Sequence, residues 1–188
     1  MKFIQSNLKG AFQVELDRIG DDRGFFARSF CVDEFHDLGL ETGFVQQNIS
    51  ESKKLYTLRG MHYQVGESAE TKYIRCHIGE ILDVIIDLRR NSPTFMRHET
   101  FELSADNQRA LYVPRGFAHG FITLTDHVVV SYLVSSRYSQ KNERGIRWND
   151  PCFNISWPTN NPNLSKKDDE HADFDPTISC LDKNFLEC

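Results

Sequence analysis

Two short segments of the sequence set a histidine beside glycine and a basic residue. Residues 59–64 (RGMHYQ) contain His62, and residues 114–120 (PRGFAHG) contain His119. Imidazole takes up and releases protons near neutral pH, so two such histidines suit general acid–base catalysis. A lone histidine in a strand is more often a satisfied structural residue, but the repeated pattern favours a functional site here.

Further polar side chains interrupt apolar stretches. Asp83 and Asp87 lie within EILDVIIDL, where a carboxylate requires a partner or a water-filled cavity. Lys72 begins one apolar segment, and Tyr132 lies inside another, VVVSYLV. Lys72 is equally compatible with a solvated strand edge, and Tyr132 with a core tyrosine whose hydroxyl is bonded. For these two residues the pattern by itself leaves both interpretations open.

The histidine spacing argues against a metal centre. Such a centre typically combines H-x-H with a nearby Glu and a later His, which gives three or four ligands. His62 has no histidine two residues away, and His119 alone does not complete a set. Four other histidines show no ligand-like spacing: His77, His98, His127 and His171. Because the sequence also lacks G-x-S-x-G and a Gly-rich phosphate loop, we expect no metal, no other cofactor and no hydrolase.

The elements that must position these residues are mostly β-strands. Residues 71–79 and 80–88 are β-branched runs that meet at Gly79, which predicts a hairpin turn. Turn-like residues separate the other predicted strands, at 99–103, 109–114, 119–124 and 127–135. Short strands at this spacing are typical of an all-β sandwich or barrel.

Chain length favours one domain, spanning residues 1–188. One early helix is predicted near residues 32–38, with Gly39 as its stop. Residues 157–175 are polar and rich in Asn, Lys and Asp, so this C-terminal arm is predicted to be irregular.

Charge and apolar content exclude two kinds of partner. The net charge is −5, whereas a nucleic-acid binder needs a basic stripe. No apolar run reaches the length of a membrane span, and the first residues lack the apolar run of an export signal, so we expect a cytoplasmic protein. The cysteines are then expected to be reduced thiols: Cys31, Cys76, Cys152, Cys180 and Cys188.

Longer motifs run in order along nearly the whole chain. They include DRGFF at 22–26, LRGMHYQ at 58–64, VPRGFAHGF at 113–121, GIRWNDP at 145–151 and LSKKD at 164–168. On these motifs the chain resembles the dTDP-4-dehydrorhamnose 3,5-epimerases. The resemblance implies an all-β, cupin-type double-stranded β-helix (jelly roll) with short helices, assembled as a homodimer. It also implies epimerisation at C3 and C5 of a nucleotide-linked 4-keto-6-deoxy sugar through an enolate.

The resemblance also implies catalytic roles. His62 is expected to be the base, Tyr132 the acid on the opposite face, and Lys72 a cation near the enolate oxygen. Asp168 is expected to pair with His62 and hold its tautomer, and the adjacent Asp169 is the alternative partner.

Substrate contacts are implied in the same way. Arg23 and Arg59 are expected to bind the diphosphate, while His119 and Asp83 form a supporting pair. Strict strand alternation would place Arg59 and His62 on opposite faces, so the role of Arg59 requires a bulge or loop. The other expected substrate contacts are Phe26, Arg28, Gln47, Asn48 and Tyr138.

At four positions the chain departs from the family pattern. Arg28 stands where an acidic residue is usual, and Gln47 where Asp is usual. Leu133 and Arg137 replace the usual Lys and Asp that follow the tyrosine. Arginine is a donor fork suited to guanine, so a GDP-linked sugar is an alternative substrate. A C3-only epimerase and a non-catalytic protein that binds nucleotide sugars are further alternatives, although a mere binder needs no acid–base pair.

Overall fold

The computed structural model describes residues 1–186, which form short β-strands with very little helix. The strands are β1 Lys2–Gln5, β2 Phe12–Glu15, β3 Ile19–Asp21, β4 Gly24–Phe26, β5 Gln46–Ser52, β6 Leu58–Gln64, β7 Lys72–Ile78, β8 Glu80–Asp87, β9 His98–Ser104, β10 Ala110–Val113, β11 Phe117–Thr123, β12 Val128–Val134 and β13 Glu143–Gly145. The helices are α1 Val32–Asp37 and α2 Lys166–Asp169, and Gly66–Ser68 forms one 3-10 turn.

Two antiparallel sheets face each other. One has the order β1-β2-β10-β7-β12-β5 and the other the order β13-β6-β11-β8-β9. Apolar side chains of both sheets meet in one buried cluster that includes Ile74, Leu111, Ile81, Leu103 and Phe121. This core lies between the sheets, as in a β-sandwich. The all-β jelly roll predicted from the sequence is therefore confirmed.

The outer faces of the two sheets are covered by different parts of the chain. Phe35 of α1 packs with Tyr73 and Tyr112 against the six-stranded sheet. Phe174 of the C-terminal arm and Phe153, which precedes the arm, pack with side chains of the five-stranded sheet. The strands β3 and β4 form a separate two-stranded hairpin with exposed side chains.

The predicted hairpin at Gly79 is wrong. Strands β7 and β8 are consecutive, but β7 pairs with β10 and β12, while β8 pairs with β9 and β11. The chain crosses from one sheet to the other at Gly79, whose φ of +75° suits glycine. The β-branched pattern predicted two strands correctly, but it does not encode which strands become their partners.

The early helix is confirmed, and the irregular arm needs one correction. Helix α1 ends as predicted, because Gly39 adopts a φ of +67° and its N–H donates to the His36 carbonyl. Within residues 157–175 the chain forms the single turn α2, which is capped by the Ser165 hydroxyl.

Two further expectations concern the cysteines and membrane-spanning helices. The cysteines in the described residues are free thiols, namely Cys31, Cys76, Cys152 and Cys180. Cys188 lies outside the described residues. No helix within residues 1–186 is long and apolar enough to cross a membrane.

Candidate active site

A cavity of about 590 Å³ opens between the two sheets and the C-terminal arm. Strands of both sheets and α2 supply its walls. The polar residues that line it include Gln46, Asn48, Arg59, His62, Glu70, Lys72, His119, Tyr132, Tyr138, Glu143, Lys167 and Asp168. The structure thus brings the predicted base, acid, cation and carboxylate to one place.

His62 and Asp168 form a hydrogen-bonded pair at the cavity wall. His62 lies on β6 and its Nε2 is 2.6 Å from Asp168 Oδ1. Asp168 is only 7% exposed and is held by α2, whereas the alternative partner Asp169 is exposed. Burial alone would raise the pKa of Asp168, but the hydrogen bond and charge of His62, the Ser165 hydroxyl and the charge of His171 together lower it. An ionised Asp168 that accepts the Nε2 proton leaves the lone pair of His62 on Nδ1.

Tyr132 reaches the same cavity from β12 of the opposite sheet. Burial raises the pKa of its phenol, the negative charge of Glu70 raises it further, and Arg59 partly opposes both. The hydroxyl is therefore protonated at neutral pH, as a proton donor requires.

Lys72 occupies the cavity together with a carboxylate that sequence reasoning missed. Its Nζ lies 3.2 Å from Glu70 Oε1, and both side chains are almost buried. Gln64 donates to the other oxygen of Glu70 at 2.7 Å. The polar run ESAET that contains Glu70 gave no signal, because only the fold shows that this carboxylate faces inward.

A β-bulge in β6 resolves the expected conflict between Arg59 and His62. His62 is opposite His119, and Arg59 is opposite Phe121, so three steps on β6 correspond to two steps on β11. The extra residue turns Arg59 to the same face as His62. Arg59 donates to Ser52 Oγ and to the Glu51 carbonyl, which orients its guanidinium at the cavity.

His119 and Asp83 form the expected supporting pair. Their Nε2 and Oδ2 atoms are 2.9 Å apart, and Asp83 is completely buried behind His119. Tyr138 also lines the cavity, and its hydroxyl donates to Glu143 at 2.8 Å. Asn48 lines the cavity as expected, whereas Gln47 is exposed and alternates to the outer face of β5.

Besides Gln47, three more expected substrate contacts lie away from this cavity within the described chain. Arg23 and Phe26 are exposed on the β3–β4 hairpin, where Arg23 donates to Asp21. Arg28 follows the hairpin and forms an ion pair with Glu34 at 3.3 Å. A single copy of the chain therefore does not bring these side chains to His62.

His171 is a second residue that sequence reasoning missed. Its ring centroid lies 5.7 Å from that of His62, and its Nε2 is 3.8 Å from Asp168 Oδ1. Burial lowers the pKa of His171, and the nearby His62 lowers it further. The spacing of histidines along the chain gave no signal, because 109 positions separate His171 from His62 (171 − 62).

Comparison with known proteins adds to this geometry. The sequence profile of the dTDP-4-dehydrorhamnose 3,5-epimerase family matches residues 5–175. A protein of that name from Shigella flexneri is 44% identical over 169 residues, which cover 89% of this chain and 93% of the relative.

Two solved structures are also similar. The enzyme of the same name from Bacillus anthracis, with TDP and PPi bound, superposes with a TM-score of 0.89 at 44% identity, covering 92% of this chain and 99% of that one. The dTDP-6-deoxy-D-glucose-3,5-epimerase from Legionella pneumophila, in complex with dTDP-4-keto-L-rhamnose, gives a TM-score of 0.86 at 34% identity and covers 92% of each chain.

Proposed function

Because the chain belongs to the dTDP-4-dehydrorhamnose 3,5-epimerase family, we propose that His62 and Tyr132 are the acid–base pair of its reaction. That reaction inverts C3 and C5 of a dTDP-linked 4-keto-6-deoxy sugar. The observation that carries the assignment is that His62 and Tyr132 come from facing sheets and line one cavity. A sugar ring between the sheets can thus lose a proton on one side and gain one on the other.

The base acts on an acidic C–H bond. The C4 ketone acidifies the hydrogens at C3 and C5, because the electron pair of the broken C–H bond delocalises onto the ketone oxygen as an enolate. Nδ1 of His62 takes the proton, and the resulting imidazolium is stabilised by Asp168 at 2.6 Å. Tyr132 then delivers its hydroxyl proton to the same carbon from the opposite face, which inverts the configuration.

The enolate needs a positive charge at its oxygen. Lys72 Nζ lies in the cavity, and its ion pair with Glu70 holds the ammonium group in place. A preorganised cation stabilises developing charge better than reorganising solvent does. Arg59 supports diphosphate binding, because an arginine fork forms charge-assisted bonds to phosphate oxygens.

A homodimer accounts for the expected contacts that lie away from the cavity. The hairpin that carries Arg23 and Phe26 exposes large apolar side chains, with Ile19 73% and Phe26 72% exposed. Such exposed apolar surface favours contact with another protein surface. A second copy of the chain, packed against this hairpin, would receive Arg23 and Phe26 in its own cavity.

Solvent exchange tests the assignment of the base. Wild-type protein with the 4-keto sugar in heavy water should incorporate deuterium at C3 and C5, as followed by NMR. His62→Asn should slow incorporation by about two to four decades, since general-base catalysis contributes that much. His36→Asn is a matched control, because His36 lies on the surface helix α1. Exchange by His62→Asn at close to the wild-type rate would contradict the assignment.

A further inference from the structure

His171 lies beside the His62–Asp168 pair and has no role in the proposed reaction. One ligand atom each of His62, Asp168 and His171 lie within 4.8 Å of one another. Asp168 Oδ1 is shared, at 2.6 Å from His62 Nε2 and 3.8 Å from His171 Nε2. Two imidazoles therefore converge on one oxygen of a buried carboxylate.

His171 is placed there with an unused ring nitrogen. Its Nε2 is buried and has no hydrogen-bond partner among the described residues. A buried polar atom without a partner is rare in native structures and often marks the place of a water molecule or an ion. Gly145 is opposite His62 on the neighbouring strand, and a Cβ at Gly145 would collide with the His171 ring. Glycine at this position therefore admits the second imidazole.

The charges around the cluster suit a cation. Asp168 contributes a carboxylate, whose Oδ1 lies 2.6 Å from His62 Nε2. The nearby ammonium of Lys167 is compensated by Glu143, whose Oε2 lies 2.5 Å away. The immediate surroundings thus carry one excess negative charge, on Asp168.

We propose that His62, Asp168 and His171 form a site for a zinc-like divalent cation, and that its occupancy inhibits the epimerase. Two imidazole nitrogens and one carboxylate oxygen are a donor set that zinc accepts, with water as the fourth ligand. Ligands at about 2.0–2.1 Å from a tetrahedral zinc ion lie roughly 3.3 Å apart. The distances from Asp168 Oδ1, 2.6 and 3.8 Å, lie on either side of that value, and all three ligand atoms lie within 4.8 Å of one another.

The inhibition follows from the tautomer of His62, and it rests on the proposed role of His62 as base. In the free protein Nε2 carries the proton that Asp168 accepts, and Nδ1 holds the lone pair. When a metal ion is bound to Nε2, that nitrogen carries no proton. The one proton of the neutral imidazole is then on Nδ1. The base therefore loses its lone pair while the cavity and the substrate contacts of Arg59 stay in place.

Calorimetry with metal salts tests binding without any reference to activity. Wild-type protein should bind one Zn²⁺ per chain, and His171→Gln should weaken the Kd at least tenfold. His36→Gln is the matched control and should bind Zn²⁺ like the wild type. Mg²⁺ should not compete, because it prefers oxygen ligands. Equal Zn²⁺ affinity in wild type and His171→Gln would overturn the proposed site.

Wild-type spectra give a second measurement that does not depend on how the variant folds. Zn²⁺ should shift the ¹⁵N signals of His62 and His171 and leave those of the other histidines unchanged. Shifts confined to other histidines would overturn the site.

Inhibition is then measured against each protein's own uninhibited rate. Zn²⁺ should abolish wild-type solvent exchange at C3 and C5, with full recovery on adding EDTA. For His171→Gln, half-inhibition should need at least tenfold more Zn²⁺. Zn²⁺ binding without loss of exchange would overturn the inhibitory role, while the test of His62 as base depends on His62→Asn alone.

Discussion

At the scale of single residues, the surroundings suit His62 and Tyr132 for the opposite proton transfers that we propose for them. Asp168 stays ionised and accepts the Nε2 proton of His62, which leaves Nδ1 free to take a proton. Burial and the charge of Glu70 raise the pKa of Tyr132, so its hydroxyl keeps its proton until the enolate forms. In the proposed mechanism, the direction of proton transfer is thus set by neighbouring groups and not by His62 and Tyr132 alone.

Replacing Tyr132 separates exchange from inversion. In Tyr132→Phe the base still removes a proton and the enolate still forms, but the donor on the opposite face is lost. Inversion should fall by about two to four decades while deuterium still enters the starting sugar. Parallel measurement of product configuration and deuterium content by NMR checks this. An equal loss of both would show that Tyr132 only positions the substrate.

Arg28 is the residue that makes a GDP-linked sugar an alternative substrate. It is 64% exposed on its side chain and is paired with Glu34 at 3.3 Å. We expect dTDP to bind more tightly than GDP. Arg28→Glu should change the ratio of the two Kd values less than about fivefold, because an exposed ion pair contributes at most about 1 kcal/mol. Titration calorimetry with both nucleotides measures the ratio. Tighter binding of GDP, reversed by Arg28→Glu, would restore the guanine alternative.

At the scale of secondary-structure elements, the bulge in β6 is the feature that strand alternation cannot predict. Alternation holds along β5, which is regular, so Asn48 lines the cavity and Gln47, also expected as a substrate contact, does not. It failed for Arg59 and His62, since the extra residue of a bulge depends on the partner strand. Gly60 marks the position, because a Cβ there would lie 2.5 Å from Gly120 Cα on β11.

Adding that Cβ should disturb both stability and substrate binding. Gly60 has a φ of +132° and no room for a side chain, so Gly60→Ala should lower the free energy of unfolding by about 2–3 kcal/mol. It should also raise KM, because Arg59 and His62 shift together. Gly24→Ala is the matched control, with a similar φ of +128° but open space around the Cβ. Urea unfolding of the two variants should differ, and equal losses would show that the close approach to Gly120 is unimportant.

Asp87 secures the end of β8 to the turn that follows it. Burial alone would raise its pKa, but hydrogen bonds from Arg89, Ser92 and Thr94 outweigh burial and lower it. The contribution of ionised Asp87 to folding stability is therefore complete above the ordinary carboxyl pKa of about 3.9. It is lost as the pH falls through the lower pKa that Asp87 has in the folded protein. Asp87→Asn should cost about 3 kcal/mol at pH 7, since it leaves Arg89 without its charge partner.

Urea unfolding at several pH values checks the sign of this effect. The difference in unfolding free energy between wild type and Asp87→Asn should shrink as the pH falls below about 4. A difference that grows in acid would contradict the account.

At the scale of the whole molecule, the site exists only where two sheets and an arm meet. Of the thirteen strands in the described residues, the sequence pattern predicted six, β7 to β12, within about two residues, because burial imposes the β-branched runs there. It assigned β7 and β8 to one hairpin wrongly, since sheet partners are decided by long-range packing. For the same reason Glu70 and His171 were missed, while the resemblance identified His62, Lys72 and Asp168.

Complementation between two defective variants tests the proposed homodimer. Light scattering should give about twice the chain mass of 21.8 kDa. Phe26→Glu should weaken dTDP binding, and His62→Asn should remove the base. If each cavity uses the hairpin of the other copy, mixed dimers of the two variants contain one intact cavity and regain activity. A monomeric wild type, or mixtures that stay inactive, would contradict the arrangement.

The placement of Asp168 on α2 has a consequence for how the protein is made. The last strand of either sheet, β13, ends at Gly145, and α2 follows in the C-terminal arm. A chain synthesised from its amino end can therefore complete both sheets, with His62 and Tyr132 already facing each other, before Asp168 is added. The carboxylate that pairs with His62 is thus supplied by a segment that is synthesised after the strands carrying His62 and Tyr132.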